Sequence, residues 1–322
     1  MYEKLMQGIS SFYGMVPMSM AELLSFSVAA ITLFMIIQAL GDSISNRKWA
    51  QWRKVLRFIV VTGTFGYMFF FLLYGINFTR MPIKDIDVQK IDELSDEVLV
   101  EALSYYIDQA NEKVAYIETN LVPSPVYEEI FYLADNSYYY LPEEYRYLSG
   151  VYGQPKKLIL SDLQSKMGYT GMFFPFTGEP LINANLVRVE VPFTTAHEIA
   201  HQRGIVKEYE ASYISFLACV NSEDVYFNYS GYFAAIQTLR TELWKRDEML
   251  YSETMEKCSP YLLRDIRAVQ DFWRVNYDAA LGDKMDVVVE ANLKSNGEED
   301  GLLSYGHVAG YLLDYYIELE KK

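Results

Sequence analysis

The sequence predicts a mainly α-helical protein: an N-terminal two-helix transmembrane hairpin, then a helix-rich extracytoplasmic domain with a small β element before its central helix. Three observations predict this. They are two long uncharged stretches near the N-terminus, a change of charge balance after them, and helical spacing of apolar residues through most of the remainder. The chain has 322 residues, 51% of them hydrophobic and 22% charged, which excludes a disordered protein.

Two apolar stretches predict the hairpin. The 19 residues between Glu22 and Asp42 and the 22 residues between Arg57 and Arg80 carry no charge. A helix needs about 20 apolar residues to cross a bilayer, whereas a buried core helix usually keeps a polar face. A cleaved signal peptide does not fit either, because a second span follows. We expect the transmembrane helices at about 22–41 and 57–78.

The loop between these stretches predicts the orientation. Residues 42–56 hold four basic side chains and one acidic side chain. Short loops rich in Lys and Arg stay in the cytoplasm, so the N-terminus and the C-terminal part are expected outside it. The chain then divides into a membrane anchor, residues 1–80, and an extracytoplasmic domain, residues 81–322, of a multi-pass protein in the cell membrane.

Charge and cysteine content restrict the partners. Residues 1–78 carry a net charge of +3 and the remainder a net charge of −18. An acidic domain repels phosphate backbones, so we expect no nucleic acid as a partner. The two apolar stretches predict a lipid bilayer as a partner, and the motif at residues 197–201 predicts a peptide or protein substrate. Cys219 and Cys258 are expected in an oxidising compartment, where a disulfide and two free buried thiols are both open alternatives.

Apolar spacing predicts helices over most of the C-terminal part. The first covers residues 88–120, and the tyrosine-rich segment 120–152 is interrupted by prolines. Residues 171–190 look extended, with Pro175 and Pro180 suited to an edge strand and a turn rather than to a central strand. Further helices are expected at 195–203, 208–221, 230–252, 259–278, 284–294 and 301–320.

One pentapeptide carries the chemistry. Residues 197–201 read His-Glu-Ile-Ala-His and contain two of the three histidines in the chain. Residues four apart share one face of a helix, so His197 and His201 can both bind one Zn²⁺ ion. Glu198 beside them is predicted to act as general base on the zinc-bound water. The alternative is a surface helix with incidental histidines.

Zinc needs a further protein ligand, and two carboxylates follow the motif closely. Glu208 and Glu210 point about 200° apart around a helix, so one rigid helix cannot offer both. Glu208 is followed by Ala211 at the spacing of the Glu-x-x-Ala pattern of the glutamate zincins. We therefore predict a zincin-like domain with Glu208 as the third ligand, and Glu210 as the alternative.

The flanks of the motif support a helix in water. Pro192 and the pair Thr194 and Thr195 predict its start with a cap, and Gly204 predicts its end. Nearby charged residues exclude a motif helix embedded in lipid. Tyr305 and His307, far along the chain, are candidate catalytic residues that would stabilise an oxyanion, although such a histidine is more often structural.

Short motifs spread over nearly the whole chain resemble one family. They are Pro17-Met18-Ser19, Tyr74-Gly75-Ile76-Asn77-Phe78-Thr79-Arg80, Phe174-Pro175-Phe176-Thr177-Gly178-Glu179 with Asn183, Pro192-Phe193-Thr194, His197–Gly204, Tyr229-Ser230-Gly231-Tyr232 and Ser304-Tyr305-Gly306. Together they resemble the bacterial membrane proteins grouped as domain of unknown function 3810. Ser212 departs from the family, which often has Asn there. The resemblance implies a zincin-like fold and this topology; the family has no established activity.

The likeness to zincins also implies a role for residues 171–187. In zincins an edge strand beside the active-site helix pairs with an extended substrate by strand addition. Glu179 and Asn183 would then lie near the cleft and bind substrate. The alternative is a turn that packs against the start of the helix.

Two hypotheses about function follow. The first is a membrane-anchored zinc metallopeptidase that hydrolyses peptide bonds outside the cytoplasmic membrane. The second is a non-catalytic receptor or scaffold with a structural or relic zinc site. A fourth metal position closed by Glu210 or His307 would favour the scaffold, whereas Glu198 favours catalysis, because a structural site has no use for it.

Overall fold

Helices make up most of the structure, a computed structural model that describes residues 2–46, 49–84, 95–295 and 307–321. In chain order the helices are α1 (Tyr2–Gly14), α2 (Met20–Asn46), α3 (Ala50–Leu73), α4 (Asp96–Thr119), α5 (Tyr127–Ser137), α6 (Ser161–Met167), α7 (Val191–Gln202), α8 (Glu208–Val220), α9 (Val225–Arg246), α10 (Glu248–Met255), α11 (Pro260–Asn276), α12 (Ala279–Ser295) and α13 (His307–Glu320). The strands are β1 (Lys156–Lys157), β2 (Gly171–Phe174) and β3 (Glu179–Ile182). The predicted fold class is confirmed: mainly α, with two membrane-capable helices and a small sheet before the HExxH helix.

Two helices are long and apolar enough to cross a membrane. They cover Met20–Ile44 and Ala50–Leu73, with mean hydropathy of 2.2 and 1.8 in their most apolar windows. α2 and α3 pack against each other, and only 6% of each window is buried inside the protein. Apolar side chains therefore face outward, as a lipid environment requires. The second helix ends five residues earlier than predicted, because a 3₁₀ helix over Gly75–Thr79 follows it.

The N-terminal helix α1 packs against the C-terminal part of the chain. Met6 and Ser10 are buried on its inner face, and Ser10 Oγ accepts a hydrogen bond from the backbone N–H of Gly153 at 3.1 Å. The Lys156 ammonium donates to the carbonyls of Tyr13 and Met18, at 2.9 and 3.0 Å. Residues before the first apolar helix thus share contacts with the domain predicted for residues 81–322.

The three strands form one small sheet in the order β1-β3-β2. β1 runs parallel to β3, and β2 runs antiparallel to it with Gly171 opposite Ile182. The expectation that Pro180 avoids a central strand is wrong, since it lies in β3 opposite Phe173. The proline is tolerated because β1 pairs only with the last two residues of β3, so no residue of β1 lies opposite Pro180.

α7, the helix of the HExxH motif, lies at the centre of the C-terminal part. It packs against α5, α8, α9 and the strands β2 and β3. Ala196, Ile199 and Ala200 on this helix are fully buried. Around it α9 packs along α4, and α13 packs on α8. Because α7 is enclosed by five elements, its side chains are held in fixed positions.

The helix boundaries around the motif correct one expectation. α7 begins at Val191, with Pro192 in its first turn, and no side chain caps it. The two threonines expected to cap the helix lie inside it instead, and Thr195 Oγ1 donates to the Val191 carbonyl at 2.7 Å. The predicted end at Gly204 is confirmed, because α7 stops at Gln202.

Of the two alternatives for the cysteines, the structure has the two free buried thiols and not the disulfide. Cys219 and Cys258 are both free and both buried. Burial raises the pKa of the Cys258 thiol to about 11 and that of the Cys219 thiol further. Both side chains are therefore protonated, inert parts of the core.

Candidate metal centre

The end of α7 and the start of α8 bring together three possible ligands. His197 and His201 lie one turn apart on α7, and α8 begins at Glu208. Between them Gly204 has a φ of +89°, a left-handed conformation that glycine adopts without strain. This tight reversal places the first turn of α8 beside the last turn of α7.

The three side chains form a group that could hold a metal ion. The Nε2 atoms of His197 and His201 are 3.1 Å apart. Glu208 Oε2 lies 3.1 Å from the first of these nitrogens and 3.5 Å from the second. Zinc–ligand bonds of about 2.0–2.1 Å in a tetrahedron separate the ligand atoms by roughly 3.3 Å. These ligand atoms therefore fit a metal ion of that size where they stand.

The other ring nitrogen of each histidine is also engaged. His201 Nδ1 donates to the carbonyl oxygen of Ile205 at 2.7 Å, which leaves its Nε2 as the metal-binding atom. The Tyr74 hydroxyl lies 3.1 Å from the same Nδ1. Ser212 Oγ lies 3.3 Å from Nδ1 of His197, so the serine occupies the orienting position beside that ring.

Glu208, and not Glu210, reaches the histidines. Glu210 is buried on another side of α8, where its carboxylate accepts a hydrogen bond from the backbone N–H of Ile83 at 3.3 Å. It lines a separate small pocket together with Arg80 and Tyr147. The two carboxylates are two residues apart on one helix, which explains why only one of them faces α7.

Charges within the group shift the pKa values of Glu208 and His201. Burial alone would raise the pKa of Glu208, but His201 and His197 hold it far below its usual range. Burial alone would lower the pKa of His201, but the Glu208 carboxylate raises it to about 9. The ligands therefore form an ion pair in the metal-free protein, and a cation that binds there displaces a proton.

Glu198 lies on α7 beside the ligand group. Burial raises its pKa to about 7, against the opposing effect of the two histidines. Its Oε2 is buried and has no hydrogen-bond partner among the described residues. A Cβ atom placed on Gly171 would come within 2.8 Å of Glu198 Cγ and Oε1, so the first residue of β2 lies directly against this side chain.

The group opens into a cleft of about 870 Å³. Besides the motif residues, several elements line it. They include Phe70 on α3 with Tyr74 directly after it, residues 171–173 of β2, the end of α6 at Met167, and Met285 on α12. β2 is at the edge of the sheet, so the backbone of this strand borders the cleft. The cleft thus combines a polar centre with largely apolar walls.

Glu179, predicted to bind substrate, lies away from the cleft. Its carboxylate is buried in an ion pair with Lys156. It also accepts hydrogen bonds from Met20 N at 3.1 Å, Ala21 N at 2.7 Å and Thr177 Oγ1 at 2.8 Å. Glu179 therefore caps the start of the first apolar helix.

Asn183, the other residue predicted to bind substrate, is fully buried. Its Nδ2 donates to Ser165 Oγ and to the Tyr169 carbonyl, both at 3.0 Å. Its Oδ1 accepts from Asn185 N at 3.0 Å. These bonds hold the turn after β3, so the structure does not bring Asn183 to the cleft.

Of the two distant catalytic candidates, the structure describes His307 and does not bring it to His197 and His201. His307 begins α13, and its ring lies 5.3 Å from the ring of Tyr209. It is not among the cleft-lining residues in the described part of the chain. Tyr305 falls outside the described residues.

Sequence reasoning missed the contributions of Tyr74, Phe70 and Gly171. Tyr74 belongs to a motif that follows the second span, but nothing local connects it with a histidine 127 positions later. Gly171 begins the segment predicted to be extended. A glycine at the start of a strand that borders the HExxH helix signals a close approach of the two backbones.

Comparison with known proteins gives a family and nothing more specific. The family model described as "Protein of unknown function (DUF3810)" matches residues 1–313. No curated protein and no solved structure matches the chain.

Proposed function

This chain belongs to the DUF3810 family, and we propose that it is a membrane-anchored, zinc-dependent metallopeptidase. One observation carries the proposal. Three possible metal ligands converge at 3.1–3.5 Å, and Glu198 lies beside them with an unpartnered buried oxygen among the described residues. Two imidazoles, one carboxylate and an adjacent second carboxylate are the side chains that metal-assisted hydrolysis requires.

The donor set favours zinc. Two histidine nitrogens and one carboxylate oxygen suit Zn²⁺ in catalytic sites, although other divalent ions follow closely in affinity. His197, His201 and Glu208 would hold the ion. When bound, it would supply a positive charge that acidifies water and polarises a carbonyl group.

Glu198 moves the proton. Its carboxylate takes a proton from the attacking water, whose oxygen forms a bond to the carbonyl carbon of the substrate. When the C–N bond breaks, the carboxyl group returns that proton to the leaving amine. A carboxyl whose pKa is raised by burial suits both steps, because it accepts and releases a proton near neutral pH.

The edge strand β2 provides a binding surface for the peptide. Its outer side has no neighbouring strand in the described part of the chain, and it starts against Glu198. An extended peptide could add to this edge through backbone hydrogen bonds, which would place one of its peptide bonds beside the carboxylate. Backbone pairing of this kind recognises peptides in general rather than one sequence.

The location of Glu210 and His307 supports the peptidase over the scaffold. A scaffold with a structural zinc would close the fourth metal position with a protein ligand. Among the described residues, the group that could hold a metal consists of His197, His201 and Glu208 alone. The basic loop between the apolar helices would place this site outside the cytoplasm.

Metal content tests the first half of the proposal. We expect full-length protein, purified in detergent without chelator, to contain one zinc per chain by elemental analysis. His201→Ala should lose it. Glu210→Gln is the matched control, an acidic residue on the same helix outside the ligand group, and should keep it. Wild-type protein that holds no metal even after addition of zinc would overturn the proposal.

Hydrolysis tests the second half. Wild-type protein should cleave members of a peptide library, and Glu198→Gln should keep its zinc and lose at least about 100-fold in rate. Equal cleavage by the two proteins would show that Glu198 is not the base. A zinc-loaded wild type that cleaves no library member would favour the scaffold.

A further inference from the structure

The cleft shares a wall with a membrane-capable helix. Phe70 is the fourth residue from the end of α3, and Tyr74 directly follows that helix. The ring centroids of Phe70 and Tyr74 are 5.7 Å apart, and those of Tyr74 and His201 are 6.2 Å apart. The ligand ring therefore lies within about 12 Å of an aromatic ring inside the apolar helix.

Residues 74–80, which directly follow this helix, are held against the loop between the ligand-bearing helices. After α3 the chain continues directly into the 3₁₀ helix Gly75–Thr79. Arg80 then donates to the Gly204 carbonyl at 3.2 Å, in the loop between the helices that carry the ligands. The metal centre thus cannot move far from the end of α3.

A second attachment fixes the start of α2, at the same end of the hairpin. The Glu22 carboxylate accepts hydrogen bonds from Ile159 N at 2.9 Å and Leu160 N at 2.8 Å. Glu179 accepts from Ala21 N at 2.7 Å. Because both helices are held at this end, the orientation of the cleft relative to the bilayer is fixed as well.

The walls of the cleft near the helix end are apolar. Phe70 and Phe78 flank Tyr74, and the ring of Phe173 on β2 lies 5.6 Å from the ring of Tyr74. α12 adds Met285 on another wall. Tyrosine side chains are typical of the interface between lipid and water, and the phenylalanine rings beside Tyr74 extend its apolar surface. A substrate in this cleft therefore meets a surface suited to the polypeptide that emerges from a bilayer.

We infer that the substrates are polypeptides anchored in the same membrane, bound and cut in the segment just outside the bilayer. The inference deepens the proposed peptidase function and rests on it. Extended chain advances about 3.3 Å per residue, so a span of 12 Å corresponds to roughly four residues. Peptide bonds about three to six residues from the end of a substrate's membrane helix should reach Glu198.

Cross-linking tests the binding step without any hydrolysis. Glu198→Gln protein, full length and in phosphatidylcholine vesicles, would carry the photoreactive residue p-benzoylphenylalanine in place of Phe70. The probe is a randomised twelve-residue segment joined to an apolar twenty-residue helix. The same segments without the helix serve as the soluble comparison. Phe69 is the matched control position, one residue away but exposed on α3 and outside the cleft.

We expect position 70 to capture the anchored probe at least tenfold more than the soluble segments and tenfold more than position 69 does. Mass spectrometry should map the cross-links to the first six residues beyond the probe's helix. Equal capture of soluble segments would overturn the inference. Cross-links to lipid alone, with none to the probe, would overturn it too, because the wall would then only face the bilayer.

Cleavage by zinc-loaded wild type separates this inference from the proposed function. Faster cleavage of the anchored probe, near the bilayer, supports both. Equal cleavage of soluble segments leaves the peptidase standing and overturns the inference. Capture of the anchored probe without cleavage overturns the peptidase, and only the docking of anchored polypeptides survives. If the anchored probe is neither captured nor cleaved, both the peptidase and the inference are overturned.

Discussion

Tyr74 joins two parts of the chain that are far apart in sequence. Its hydroxyl lies 3.1 Å from Nδ1 of His201, which also donates to the Ile205 carbonyl at 2.7 Å. The ring of Tyr74 packs between Phe70, Phe173 and the imidazole. A residue that directly follows an apolar helix therefore helps to orient a metal ligand.

We expect Tyr74→Phe to weaken zinc binding by about tenfold. The substitution keeps the ring packing and removes one polar contact with a ligand, and loss of such contacts costs about 10–100-fold in metal affinity. The lower end applies because Ile205 still holds the imidazole. Competition with a chromophoric chelator measures the change. Tyr67 is an exposed tyrosine on α3, seven residues earlier, and Tyr67→Phe should bind zinc like wild type. A weakened Tyr67→Phe would point to a general effect.

Glu190, the residue before α7, makes stability depend on pH. Burial raises its pKa to about 7, against the hydrogen bond that Trp273 Nε1 donates to it at 3.3 Å. In the unfolded chain this carboxyl ionises near pH 4.5. Between those values the folded state holds the proton and the unfolded state does not. The contribution to stability is therefore complete below about pH 4.5 and is lost as the pH rises to about 7.

We expect Glu190→Gln to remove this pH dependence. We compare the unfolding free energy of the variant with that of wild type at each pH. This difference should favour the variant by about 2 kcal/mol more at pH 8 than at pH 5. Thermal melts of both proteins in detergent at the two pH values measure the difference. Because the other groups titrate identically in the two proteins, the change with pH of the difference in stability between variant and wild type reports on Glu190. A constant difference would mean that Glu190 ionises in the folded state as it does in the unfolded chain.

The sequence predicted the three candidate metal ligands more completely than it predicted the residues that surround them. Helix geometry placed His197 and His201 on one helix face and allowed only one of the two carboxylates to join them. The choice of Glu208 rested on its likeness to the Glu-x-x-Ala pattern of the glutamate zincins. Glu179 escaped this reasoning. A polar residue beside a cleft strand can bind substrate or cap a distant helix, and only tertiary contacts decide between them.

Among the elements, the contact between β2 and α7 is the tightest approach to the proposed base. Gly171 lies against the side chain of Glu198, and a Cβ there would also come within 2.9 Å of the Leu181 carbonyl oxygen on β3. A side chain at position 171 would therefore collide with Glu198 on α7 and with the backbone of β3. The absence of a Cβ at this position lets the edge strand approach the helix.

We expect Gly171→Ala to lower peptidase activity at least tenfold while zinc content stays at wild-type level. The added methyl must displace either Glu198 or β2, and a shift of about 1 Å near the reacting groups can cost 100-fold in rate. The three atoms nearest to the added methyl belong to Glu198 and Leu181, and not to the ligands. Gly66→Ala on α3, where nothing lies within 4 Å, is the matched control and should keep activity. Loss of zinc in Gly171→Ala would mean that β2 supports the ligands rather than the base.

Element prediction succeeded where apolar periodicity was long and failed where helices were short. The predicted helices at 208–221 and 259–278 match α8 and α11 closely. α5 was missed because prolines flank it inside a tyrosine-rich segment that shows no clear spacing. The predicted helix 230–252 divides in two, because Asp247 accepts from Met249 N and Leu250 N and so caps a new helix.

At the scale of the whole molecule, the hairpin and the domain are joined more closely than a two-part sequence suggests. Composition divides the chain cleanly near residue 80, because apolar and acidic stretches are local properties. Composition does not show that α1 packs on the C-terminal part of the chain, or that the end of α3 lines the cleft. Contacts between residues more than 120 positions apart create both features.

The buried ion pair of Lys156 with Glu179 lies where the domain holds the start of the hairpin. Glu179 is 2% exposed, and its carboxylate also caps the start of α2 through Met20 N and Ala21 N. Removal of one partner leaves an uncompensated buried charge, which costs about 3–5 kcal/mol. We therefore expect Glu179→Met to lower the melting temperature of the full-length protein in detergent by about 10 °C.

The double variant Lys156→Met with Glu179→Met separates charge from capping. Removal of both charges abolishes the unpaired ammonium, so the double variant should melt above the single Glu179→Met variant. It should still melt below wild type, because the N–H groups of Met20 and Ala21 lose their acceptor whichever residue replaces Lys156. The double variant also removes the hydrogen bonds that Lys156 donates to the carbonyls of Tyr13 and Met18. A double variant no more stable than Glu179→Met would therefore contradict the expected cost of the unpaired ammonium, because its removal would not outweigh the loss of these two bonds.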